Sequence, residues 1–116
     1  MGKDQEPTLD LVFHALADPT RRQLLERLAR GPASVSQLAE PFDMSLTAVM
    51  QHLQVLIDAG LVTSQKAGRV RTCRIEPAMV RRAEGWLSDQ RTGWERRLDR
   101  LGHSLTESIS EGEEHD

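Results

Sequence analysis

Met44-Ser-Leu-Thr-Ala-Val-Met-Gln-His-Leu-Gln-Val-Leu-Ile-Asp-Ala-Gly-Leu-Val62 reads as a capped helix that stops at a glycine and runs straight into a strand. Ser45 is placed to cap it, because a serine hydroxyl accepts from a free N–H of the first helical turn. Ala48, Val49, His52, Leu53, Val55 and Leu56 recur at three- and four-residue spacing and form one packed stripe. Thr47, Met50, Gln51 and Gln54 fall on the opposite side, with Leu46 at its N-terminal edge. Between Met44 and Ile57 that outer face holds no charge, only amides, a hydroxyl and slim apolar groups. A helix face built for solubility carries Lys and Glu instead. Glutamine pairs with the adenine edge in the major groove, and apolar groups pack on the thymine methyl. The pattern is that of a recognition helix, with Ser45, Leu46, Thr47, Met50, Gln51 and Gln54 as candidate DNA contacts.

Upstream, a helix is expected over Thr8 to Ala17, with Leu9, Val12, Phe13 and Leu16 on one face. Asp18-Pro19 breaks it: Asp18 suits an N-cap and Pro19 the first position of a new helix. That second helix, Pro19 to about Arg30, turns Leu24, Leu25 and Leu28 inward and ends at Gly31-Pro32. Ser34-Val-Ser-Gln37 has the spacing of a capping box and opens a short third helix closing near Phe42. A tight turn at Asp43-Met44 joins it to the helix from Ser45 to Ala59, which makes a helix-turn-helix.

After Gly60 the period changes. Leu61, Val62 and Thr63, then Val70, Thr72 and Ile75, are short β-rich runs separated by Ala67-Gly68, and they read as a hairpin. Lys66, Arg69, Arg71 and Arg74 place positive charge on or beside it, and alternation is expected to send Arg69 and Arg71 to one face, opposite Val70 and Thr72. Lys66, Arg69 and Arg71 are candidate phosphate contacts, the alternative being a charged edge strand that resists aggregation. From Pro77 a last helix is expected to about Ser108. Met79, Ala83, Trp86, Leu87, Trp94, Leu98, Leu101 and Leu105 form a seam along it, while Gly85, Gly93 and Gly102 mark places for a bend or a split. Leu9, Val12, Phe13, Trp86, Leu87, Trp94, Leu98 and Leu101 are the candidate dimer-interface residues. The alternative is that the two tryptophans fold back on the first helix of the same chain.

The bulk properties suit this picture. The chain has 116 residues, four of them aromatic (Phe13, Phe42, Trp86 and Trp94), so its core is expected to be mostly Leu, Val and Ala. No apolar run approaches a membrane span and no signal-peptide segment is visible, which predicts a cytoplasmic protein without a membrane partner. A single cysteine excludes an intramolecular disulfide. The net charge of −3 is unevenly placed: residues 19–106 carry fourteen Arg or Lys against nine acids, and the acids concentrate at the two ends. The run Glu111-Gly-Glu-Glu-His-Asp116 reads as a solvated tail.

Phe13-His-Ala-Leu-Ala-Asp-Pro-Thr-Arg-Arg-Gln-Leu-Leu25, then Val35-Ser-Gln-Leu-Ala39, then Met44 to Val62, resemble the ArsR-type bacterial repressors. The resemblance covers residues 9–76 in order and spacing, and more loosely the final helix. It implies a homodimer with the first and last helices at the two-fold axis, a double-stranded DNA operator in or overlapping a promoter, and repression by occlusion. It also carries DNA contact onto Leu46, Thr47, Met50, Gln51 and Gln54, with the wing around Arg69. The family commonly has Ser where Met50 stands, and often Lys or Arg at Gln51 or Gln54. A phosphate contact absent from the helix must then come from the wing or from Arg21 and Arg22, unless those arginines pair with Glu26 and Asp18.

Sensing is a second departure. Many relatives bind metal through a cysteine pair on the helix before recognition, where this chain has Ser34-Val-Ser-Gln-Leu-Ala-Glu40. Asp99, His103 and Glu107 share a helical face at four-residue spacing, but a solvated polar face is the expectation, and no metal site or cofactor is assigned. His14 and His52 read as hydrogen-bonded structural residues. Cys73 is expected to be an inert thiol, the alternative being a redox-responsive thiolate favoured by the arginines beside it. No phosphate loop, nucleophile elbow or zinc-protease motif is present, so no catalytic residue is assigned and an enzyme is not expected.

The expected architecture is mainly α with a small β-hairpin: a winged helix-turn-helix, homodimeric through its first and last helices. Residues 1–7 are expected to be a flexible N-terminus, 8–76 the DNA-binding domain, 77–108 the dimerisation helix or helices, and 109–116 the acidic tail. The function expected is a sequence-specific transcriptional regulator, a repressor released by a signal that these motifs do not identify. The alternative is a winged-helix protein-interaction module that binds no DNA.

Overall fold

A computed structural model describes residues 8–114 of the chain, with side chains as far as Thr106; the expectations for residues 1–7 and for the last two residues lie outside them. Short polar side chains start the helices. Thr8 caps α1 (Leu9–Leu16), its hydroxyl accepting from the Leu11 N–H. Asp18 caps α2 (Pro19–Leu28), its carboxylate accepting from the N–H groups of Thr20 at 2.8 Å and Arg21 at 3.1 Å. Ser34 and Gln37 complete the expected capping box of α3 (Val35–Ala39), each side chain accepting from the other residue's N–H. Ser45 caps α4 (Leu46–Asp58), accepting from Ala48.

The end of α4 is as specific as its start. Gly60 takes the left-handed conformation (φ +77°), which a side chain would strain. Its N–H donates to Ile57 O and the Leu61 N–H to Leu56 O, the paired bonds of a Schellman cap. Leu56 and Leu61, which that cap brings together, are both buried. The chain therefore leaves the recognition helix in a set direction and enters β2 (Val62–Ala67) at once, with β3 (Val70–Ile75) returning antiparallel.

The sheet has one strand more than the expected hairpin. β1 (Ala33–Ser34) pairs antiparallel with β3, Ala33 opposite Cys73, so the order is β1-β3-β2. Two residues are too few to show alternation, and in the sequence Ser34 carries only the signature of a helix cap. With β3 central, Cys73 sits between two strands and is fully buried.

The core joins Val12 and Ala15 of α1, Leu24 and Leu28 of α2, Leu38 of α3, Val49, Leu53 and Leu56 of α4, and Leu61, Val62 and Cys73 from the sheet region. Of the expected stripe on α4, those three residues are buried, whereas Ala48, His52 and Val55 are half-buried. Each fully buried leucine contributes about 1.5–3 kcal/mol relative to exposure.

α5 (Pro77–Glu114) is one helix, neither split at its glycines nor ended near Ser108. A Cβ added at Gly85, Gly93 or Gly102 meets nothing within 4 Å, so these glycines lower helix propensity without marking a close approach. The chain divides into two units between Ala83 and Glu84. The first holds α1–α4 and the sheet. The second, taken by itself, is helix with Trp86, Leu87, Trp94, Leu98, Leu101 and Leu105 exposed, from 44% at Trp86 to 61% at Trp94.

Candidate nucleic-acid interface

Capping and packing together orient the outer side of α4. With Val49, Leu53 and Leu56 facing the core, Thr47, Gln51 and Gln54 are exposed and Leu46 is 54% exposed. Met50 is half-buried against the core, so it belongs partly to the packing and only its outer part to the surface. Gln54 Nε2 donates to Asp58 Oδ1 at 2.8 Å. A carboxylate only accepts, so this bond fixes which end of the amide is nitrogen and leaves the amide oxygen and one N–H for a base edge. Asp58 was not among the expected site residues; its four-residue spacing from Gln54 was the available signal.

The wing differs from the expected alternation. Arg69 lies with Gly68 (φ +64°) in the turn, one residue before β3, rather than on the strand. On the ladder Lys66 stands opposite Arg71, and Ser64 opposite Cys73, so these four share the face that carries the buried Cys73. Val70, Thr72 and Arg74 take the other face, with Val70 53% exposed at the tip. Arg71 Nη1 donates to Ser64 Oγ at 2.9 Å, which holds the guanidinium close to the sheet.

This register brings wing and helix together. A cleft of about 460 Å³ is lined by Leu46 and Met50 of α4, by Lys66, Arg69, Val70 and Arg71 of the hairpin, and by Ser34, Val35 and Ser36 at the start of α3. Ser34 and Ser36 are additions to the expected site, visible only once β1 pairs with β3. Thr47, Gln51 and Gln54 lie outside the cleft, on the exposed helix face. Among the described residues the ion pair found is Arg91–Glu95, so no carboxylate within 4 Å neutralises Lys66, Arg69 or Arg71.

Among the described residues, Arg21 and Arg22 form no ion pair with the nearby acids. Arg22 Nη1 donates to Leu16 O, and Arg21 donates to Ala15 O and His14 O, so both cap the C-terminal end of α1 instead of pairing with Glu26 or Asp18. The Asp18 carboxyl is held below its usual range chiefly by the Arg21 N–H, against an opposing desolvation, with the Thr20 N–H and the charges of His52 and Arg21 adding to it. His52 is hydrogen-bonded, as expected, through Nδ1 to Arg21. For Cys73, burial pushes the thiol up from its ordinary value and outweighs the opposing charge of Arg71, which is the direction expected of an inert thiol. Of the expected dimer residues, Val12 is fully buried in its own chain and Leu9 and Phe13 are half-buried, whereas those on α5 are exposed. The Glu107 side chain of the weighed metal triad lies outside the described residues.

The chain is similar to known proteins in sequence and in fold. A helix-turn-helix domain family matches residues 16–65. The chain is 47% identical over 68 residues to the HTH-type transcriptional regulator Rv2034 of Mycobacterium tuberculosis, spanning 59% of this chain and 64% of that protein. It is 36% identical to the uncharacterized HTH-type transcriptional regulator YuzN of Bacillus subtilis, over 67% of this chain and 94% of that one. It is 28% identical to the transcriptional repressor SdpR of the same organism, over 66% and 84%. Among solved structures, an ArsR family transcriptional regulator superposes with a TM-score of 0.71 at 53% identity, covering 75% of this chain and 90% of that one. The homodimeric winged helix-turn-helix DNA-binding domain of Mb0332 from Mycobacterium bovis does so at 0.59 and 29% identity, covering 76% and 82%. With its recognition helix, wing and similarity to these proteins, the chain belongs to the ArsR family of winged helix-turn-helix transcriptional regulators.

Proposed function

We propose that the chain is a homodimeric repressor that sets its two recognition helices in the major groove of an operator and blocks a promoter by occupying it, in the cytoplasm. The carrying observation is the uncharged, amide-bearing face of α4 beside a cleft lined by Lys66, Arg69 and Arg71. Amides read bases and wing cations hold phosphates, a division of labour that separates specificity from affinity. Leu46, Thr47, Met50, Gln51 and Gln54 are the proposed base-side contacts, and Ser45 with the wing residues the backbone-side ones. The homodimeric state of the Mycobacterium bovis domain supports pairing here, as does the exposed apolar stripe of α5. A two-fold partner would set the half-site spacing. The alternative of a protein-interaction module draws no support from these relatives, which are named as transcriptional regulators and a repressor.

The test is a mobility shift against DNA upstream of the chain's own gene, at low and moderate salt, with nonspecific competitor. The expected result is a band at dimer stoichiometry that survives competitor and weakens as salt rises. Gln51→Ala should weaken the operator more than unrelated DNA, by about 1–3 kcal/mol per half-site. An equal loss on every sequence would remove Gln51 from base reading.

A further inference from the structure

A single guanidinium joins three elements of the DNA-binding unit. Arg21 stands in the first turn of α2, yet its side chain turns back to the end of α1. Nε donates to Ala15 O at 2.7 Å and Nη2 to His14 O at 3.1 Å. These carbonyls lie at the negative end of α1, where a cation is favoured. The remaining arm, Nη1, lies 3.3 Å from His52 Nδ1 on α4. A guanidinium keeps its protons and has no acceptor, so Nδ1 must accept and the ring proton sits on Nε2. Asp18 also interacts electrostatically with His52, and its carboxylate is already bonded to the N–H groups of Thr20 and Arg21.

We propose that Arg21 and His52 form a latch that sets the rotation of the recognition helix against α1, making both positioning residues for DNA reading. The proposal rests on the reading that α4 lies in the major groove. The remaining packing of α4, through Val49, Leu53 and Leu56, is apolar and therefore non-directional. A turn of about 10° about the helix axis moves groups roughly 6 Å from it by about 1 Å, enough to spoil a bidentate contact from Gln51 or Gln54. A hydrogen bond from an arginine already anchored on two carbonyls resists that turn, because its direction is fixed. Where α1 lies at the two-fold axis, the latch also ties each reading helix to the dimer interface.

Two measurements on the full chain test it. In long-range ¹H–¹⁵N spectra of the imidazoles, His52 is expected in the Nε2–H tautomer, becoming mixed in Arg21→Met. A ring already mixed, protonated on Nδ1, or indifferent to Arg21→Met overturns the latch. In DNA titrations, Arg21→Met and His52→Leu should each lower operator affinity about tenfold, the scale of one lost base contact, with the salt slope unchanged. His52→Gln, which keeps an acceptor, should recover most of the loss. A direct phosphate contact by Arg21 would instead lower the slope by about 0.9 per site and leave His52→Leu silent, which overturns the positioning role. Should Arg21→Met fail to fold, the His52 pair decides, since it leaves the cap of α1 intact. A chain that binds no DNA refutes the regulator reading and with it the positioning role, while the imidazole spectrum still reports whether the bond exists.

Discussion

Arg71→Ala is the sharpest test of the wing. Arg71 stands directly opposite Lys66 on one face of the hairpin, and Ser64 holds its guanidinium at 2.9 Å beside the cleft. Like charges directly opposite destabilise a ladder by roughly a fraction of a kcal/mol, so the pair costs stability in the free protein. A bound phosphate removes that cost. Each phosphate contact contributes about 0.9 to the slope of log affinity against log salt. A dimer that loses one contact per wing therefore loses about 1.8. Between about 50 and about 200 mM salt, a slope of that size is worth about twelvefold in affinity. The advantage of the parent over Arg71→Ala should shrink by that factor across the same range. Fluorescence anisotropy with a labelled operator fragment reads both slopes directly. Arg74→Ala is the control, since Arg74 lies on the opposite face of β3 and its loss should leave the slope alone. Parallel lines for the parent and Arg71→Ala would refute the phosphate seat.

Three further outcomes are expected. Leu98→Glu with Leu101→Glu charges the exposed stripe of α5, where the two leucines are 54% and 56% exposed, and should halve the mass seen by sedimentation; an unchanged mass removes that stripe from the dimer. Cys73, buried with its thiol pushed up, should resist thiol reagents at neutral pH and react on unfolding, whereas rapid labelling of the native chain would restore a redox role. Asp18→Asn keeps a capping side chain but not the charge. Because the folded carboxyl titrates below its ordinary value, its charge stabilises the fold above about pH 4, and that stability is lost as pH falls through the folded value. The parent should melt above Asp18→Asn at neutral pH and converge with it in acid; a gap that does not close would deny the electrostatic part of the cap.

Helix starts were the most legible feature. Asp18, Ser34 and Ser45 each act within three residues of themselves, so short-range chemistry placed them without a fold. The recognition face was legible for a related reason. Helical period separates two sides of a segment, and only one side of α4 was apolar enough to bury. The partners of Arg21 were not legible. Its bonds reach back six and seven residues and forward thirty-one, and nothing local prefers His52 over the nearer Glu26. β1 stayed hidden because a two-residue strand exists only by virtue of the strand it pairs with.

The wing shows the same boundary within one element. Composition placed four cations on a hairpin, but which of them share a face depends on where the turn begins. The left-handed Gly68 puts Arg69 in the turn, and a shift of one residue exchanges the faces of a strand. The helix-turn-helix, the caps at Asp18, Ser34 and Ser45 and the uncharged reading face were thus legible in the linear pattern, being governed by interactions within one helical turn. Folding in three dimensions was needed to bring Lys66 and Arg71 into one cleft with Leu46 and Met50, to seal Cys73 in the sheet, and to set Arg21 between α1 and α4. Those depend on register and on contacts between distant elements, whose geometry a linear pattern does not carry.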